Sequence, residues 1–90
     1  MKYFCDAVRR KMERDAWNVF RIRDSEAPID LVCINKGGET TLVRARGNGH
    51  GHINRDVESK LKALSIRCGR AHVLLAKMNS ANEIVFRRIL

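Results

Sequence analysis

Apolar periodicity changes in a definite order along this chain, and the order leaves few folds open. Phe4, Val8 and Met12 recur every four residues with Ala7 beside them, which predicts a helix over residues 3 to about 15. Arg9, Arg10, Lys11 and Arg14 occupy the rest of its surface. Val19, Phe20 and Ile22 are β-formers and predict a strand over 17–23. Residues 24–28 read as a loop, because Pro28 removes a backbone donor and biases Ala27 to an extended shape. The apolar run 31–34 reads as a strand buried on both faces. Lys36-Gly37-Gly38-Glu39 predicts a hairpin turn into a strand over 40–46, with Val43 and Ala45 on one face and Leu42, Arg44 and Arg46 on the other.

After the glycine-rich stretch 47–51 the period returns to that of a helix. Asn54 is the expected N-cap, and Ile53, Val57, Leu61, Leu64 and Cys68 form the apolar stripe. Gly69 marks the helix end. Residues 71–76 and 84–89 read as strands joined by a polar turn at 79–82, the last strand lying at the edge. The order αβββαββ predicts an α/β fold: a mixed sheet with helices packed on it. Ninety residues make one domain, spanning 1–90.

Charge narrows the partner. Eighteen basic residues oppose ten acidic ones, giving a net charge of +8, and a surplus of that size on so small a domain points to a polyanion. Cys5, Cys33 and Cys68 are odd in number and widely spaced, so free buried thiols in a reducing, cytoplasmic setting are expected rather than a disulfide framework or a zinc site. No apolar run reaches ~18 residues, so no membrane span is expected, and no secretory leader is read at the N-terminus.

Within that order, Trp17-Asn18-Val19-Phe20-Arg21, then Ser25, then Ile29-Asp30-Leu31-Val32-Cys33-Ile34, then Leu42-Val43-Arg44-Ala45-Arg46 resembles the archaeal-type Holliday-junction resolvases of the PD-(D/E)XK superfamily. The resemblance runs from the first helix to Lys77. It implies the restriction-endonuclease-like αβββαβ(β) core, with Arg21, Ser25 and Asp30 at the family's positions, and it implies a homodimer. The departures fall on the metal site. Cys5 stands where the first-helix Glu belongs, with Asp6 one residue away; Arg44 and Arg46 replace the Glu and Lys of the third strand; Val57 replaces a helix Gln.

Such nucleases hold Mg²⁺ between carboxylates and use it to ready a water and to stabilise the charge that develops on phosphorus. At ~4 Å and an effective dielectric of ~20, a unit charge is worth about 4 kcal/mol against another, and twice that against a divalent ion. Arg44 cannot relieve its repulsion of a metal by losing its proton. The expectation is therefore a catalytically inactive nuclease homologue without a metal or other cofactor, in which Asp30 is a remnant. Both guanidiniums of Arg44 and Arg46 are expected beside Asp30, in a pocket that forks onto DNA phosphates. Arg21, Arg23, Ser25, His50, His52, Arg55, Lys60 and Lys62 complete the expected DNA-binding set, with Arg67 extending the footprint.

Other readings stay open. Arg44 and Arg46 also suit the solvated face of a one-sided sheet, and Asp30 suits the role of an arginine's salt-bridge partner. The His50-Gly51-His52 loop is a weak metal signal without a third ligand. Trp17 suits a base-stacking role less than a core one. A structure-selective, Mg-dependent endonuclease would need Asp30, Asp6 and a carboxylate such as Glu58. A phage or mobile-element module binding a host protein is the third class.

Overall fold

The computed structural model describes residues 2–24, 27–46 and 53–90. Seven elements follow the expected order: α1 (Lys2–Arg14), β1 (Asn18–Arg21), β2 (Leu31–Ile34), β3 (Thr40–Ala45), α2 (Arg55–Arg67), β4 (His72–Met78) and β5 (Ile84–Arg88). The strands form one sheet in sequence order, β1-β2-β3-β4-β5. Only β3 and β4 pair in parallel; the other neighbours are antiparallel. The parallel step is the one that contains a helix, since parallel neighbours need a crossover whereas antiparallel ones close through short turns.

Alternation along β3 splits the core. Val43 and Ala45 face α1 and bury Phe4, Cys5, Val8 and Met12. Leu42 faces the other way, toward Leu61 of α2 and Val73 of β4. The helices therefore lie on opposite faces of the sheet. Trp17 packs against the first cluster, as expected of a core tryptophan. Cover is incomplete over the outermost strand, where Phe20 is 56% exposed. In β2, Leu31 and Cys33 are buried, while Val32 and Ile34 are only half-buried, so that strand is fully enclosed on one face rather than both.

Three asparagines organise the chain reversals. Asn35 Oδ1 accepts from the amides of Gly37 (3.0 Å) and Glu39 (2.9 Å), closing the β2–β3 turn where Gly38 takes a φ of +80°. Asn79 repeats the device with the amides of Ala81 and Glu83, both at 2.9 Å. Asn54 caps α2 by accepting from the Val57 amide at 2.9 Å. Each side-chain oxygen replaces a backbone acceptor that the turn or helix end lacks.

Two further expectations need correction. Cys68 is exposed, not buried at the foot of the α2 stripe. It is the C-cap residue, and the helix has ended before its side chain can turn to the sheet. The first strand stops at Arg21, although Ile22 still donates to the Asp30 carbonyl at 2.8 Å. Among the described residues, no helix is long and apolar enough to cross a membrane.

Candidate functional site

Asp30 lies where β2 has not yet begun. Its amide donates to the Val43 carbonyl (2.8 Å) and its carbonyl accepts from Ile22, so its backbone is tied to both neighbouring strands. Beyond this point β2 no longer supplies a partner for β3, and the Asp30 carboxylate takes over. Its Oδ2 accepts the Ala45 amide at 2.7 Å and Arg46 Nη1 at 3.0 Å. Arg46 Nη1 also donates to the Ala45 carbonyl at 2.7 Å, closing a small ring around the Ala45 backbone.

A second ion pair lies close by. Arg21, near the end of β1, places Nη1 at 3.3 Å from Asp6 Oδ1 on α1. The buried Cys5 thiol registers both pairs. Burial pushes its pKa up most; then Arg21 lowers it, Asp30 and Asp6 raise it, and Arg46 lowers it. All four charges therefore lie within electrostatic range of Cys5. Arg21, Arg23, Asp24, Ala27, Asp30 and Arg46 line an open depression of about 400 Å³.

The two arginines of β3 part company. Arg46 reaches Asp30, but Arg44 donates through Nη1 to the Pro28 carbonyl at 2.7 Å. The expected pair of guanidiniums on one carboxylate is thus a single one. Burial lowers the Arg44 pKa, Arg46 lowers it further, and Asp30 opposes them. Pro28 in turn lines a second depression of about 250 Å³ with Lys60, Ala63, Leu64 and Arg67.

Of the residues expected at the site, the fold brings together Arg21, Arg23, Asp30 and Arg46. Lys60 lies on α2, 3.6 Å from Asp56, and Arg55 and Lys62 are exposed on the same helix. Ser25, His50 and His52 lie outside the described residues. The carboxylates proposed for an enzyme are not gathered: Glu58 is exposed on α2, across the sheet from the helix that carries Asp6. Asp6 and Asp30 each face a guanidinium, Arg21 at 3.3 Å and Arg46 at 3.0 Å respectively. Among the described residues no group of three or more His, Cys, Asp or Glu side chains is placed to hold a metal ion, and Mg²⁺, which takes oxygen ligands, would meet the like charge of Arg21 and Arg46.

Sequence reasoning missed three features. The amide of Ala45 as a partner of Asp30 carries no signal, because it depends on where β2 diverges from β3. Arg21 with Asp6, fifteen residues apart, is equally silent. The third is balance: Arg21, Arg23 and Arg46 are opposed by Asp6, Asp24 and Asp30, so this depression is rich in guanidinium without being strongly positive.

No protein-family model matches this chain, and no curated protein matches it.

Proposed function

We propose that this chain binds nucleic acid through guanidinium contacts to phosphates and does not cut the strand. The observation that carries the reading is the Arg46–Asp30 ion pair at 3.0 Å, seconded by Arg21–Asp6. A hydrolytic site of the kind implied by the resolvase resemblance gathers carboxylates around a metal, whereas here Asp30 and Asp6 stand among guanidiniums whose like charge opposes a divalent ion. A phosphate entering the depression competes with carboxylates that are exchangeable, because both pairs are partly exposed and such pairs are worth about 1 kcal/mol or less. Forked N–H groups then transfer from carboxylate to phosphate with matching geometry.

Two further features support this reading. A three-strand meander, a crossover helix, a parallel fourth strand and one helix on each face suit a restriction-endonuclease-like core. The net charge of +8 favours a polyanion. Homodimerisation, also implied by the resemblance, belongs to the same proposal and is read by light scattering.

The test is a titration of labelled duplex, four-way junction and single-stranded DNA at two salt concentrations, with and without Mg²⁺, scored for binding and for cleavage. Sequence-independent binding that weakens steeply with salt is expected, without cleavage. A salt slope near zero overturns the binding mechanism. Mg-dependent cutting of the junction, abolished by Asp30→Ala, establishes the endonuclease instead.

A further inference from the structure

Resting on the nucleic-acid reading above, we infer that the depression on α2 receives an unpaired base, so that the preferred ligand is a single strand crossing the ridge formed by Ala27 and Pro28. Ala27 lines the arginine depression and Pro28 lines the α2 depression, so adjacent residues separate the two. The carbonyl of Pro28 is held by Arg44 Nη1 at 2.7 Å, which fixes the ridge and places a cation behind it.

The lining of this depression carries cations and no carboxylate, unlike that around Asp30. Both acidic residues of α2, Asp56 and Glu58, lie in its first turn. Neither lines the depression, whereas Lys60 and Arg67 do. Lys60 has Asp56 at 3.6 Å, but the two side chains are 60% and 81% exposed, so that pair opposes a polyanion little.

Shape then selects the part of the polyanion. The floor is apolar, made by Pro28, Ala63 and Leu64, and the cations Lys60 and Arg67 stand beside it. Its volume of about 250 Å³ falls below the ~300–1,000 Å³ of small-molecule pockets, so it suits one group of a longer ligand. Phosphate alone gains nothing from an apolar floor. A base face does gain, with its flanking phosphates meeting Lys60 and Arg67. A duplex hides its base faces, and with a persistence length of ~150 bp it does not fold over a two-residue ridge. An unpaired strand meets both conditions.

The test uses the whole chain and fluorescence anisotropy. The probes are a short single strand, its duplex, an abasic oligomer of equal length, and polyglutamate of matched charge as competitor. We expect the intact strand to bind about tenfold more tightly than the abasic one, the ratio that about 1.4 kcal/mol supplies. Ala63→Glu changes an exposed helix position, and a melting curve verifies its fold; it should remove the preference for the intact over the abasic strand, a ratio in which its added charge cancels because both strands carry the same phosphates. Arg67→Ala should weaken the single strand in the same direction. Equal affinity for intact and abasic strands, with a steep salt slope for both, overturns this inference and leaves the nucleic-acid reading standing. Competition by polyglutamate as effective as by the strand overturns it too, and assigns the patch to an acidic protein. Loss of all salt-dependent DNA binding overturns the nucleic-acid reading itself.

Discussion

Arg46 and Asp30 meet at 3.0 Å on the same carboxylate oxygen that accepts the Ala45 amide at 2.7 Å. One oxygen thus serves both the strand ladder and the surface charge. The two roles separate by mutation. Asp30→Asn keeps an acceptor for Ala45 and loses only the ion pair, so it should cost about 1 kcal/mol or less. Asp30→Ala strands the Ala45 amide as well and should cost about 2 kcal/mol. Urea denaturation of both variants measures the difference; equal costs would show that the amide contact adds nothing.

Freeing Arg46 should also help a phosphate. Asp30→Asn is expected to raise affinity for duplex DNA a few-fold at low salt, because a competing carboxylate charge is gone. Anisotropy of wild type and variant side by side reads this directly, and weaker binding by the variant contradicts the proposed transfer of guanidinium from carboxylate to phosphate.

The thiols predict an alkaline limit. Burial pushes the Cys33 thiol from its ordinary value of 9.0 to about 12, and the Cys5 thiol moves the same way. A thiol held above its unfolded value contributes stability that is complete below pH 9.0 and is lost as pH rises toward about 12. Cys33→Val removes one titrating group, so its melting temperature should fall less between those limits than that of wild type. At neutral pH an aromatic disulfide reagent should titrate one thiol rapidly, the exposed Cys68, and reach Cys5 and Cys33 only on unfolding.

Asn35 and Asn79 close turns at opposite ends of the sheet, because the parallel strands β3 and β4 begin at the same end and the two turns lie respectively before β3 and after β4. Replacing either by Ala should cost about 1 kcal/mol through two unsatisfied turn amides. The double variant should show the sum, since distant sites without shared partners are additive. Chemical denaturation of the three variants checks it.

Ala16 follows α1 with a φ of +68°, a left-handed conformation that costs a residue bearing a Cβ. Ala16→Gly should stabilise the chain by about 0.5–1 kcal/mol net of the glycine's extra freedom in the unfolded chain, read as a higher melting temperature; an unchanged or lower one contradicts it.

What was legible beforehand was whatever depends on near neighbours. The α1 stripe of Phe4, Val8 and Met12, the Asn54 cap, the turn at Gly38 and the two faces of β3 at Leu42 and Val43 each follow from periodicity or turn chemistry within a few residues. Cys68 was misplaced because an apolar stripe does not reveal that the helix ends there and leaves the last member outside.

The sequence by itself determined the order of elements, the mixed sheet with its helices, and the cationic character of the chain, since periodicity and formal charge are properties of the string. Tertiary structure alone decided the partners of the charges. Arg44 and Arg46, two residues apart, go to Pro28 and Asp30 respectively, and Arg21 finds Asp6 on another element. Those choices depend on where one strand leaves another and on which carboxylate or carbonyl lies within about 3 Å, a distance criterion that no local pattern encodes.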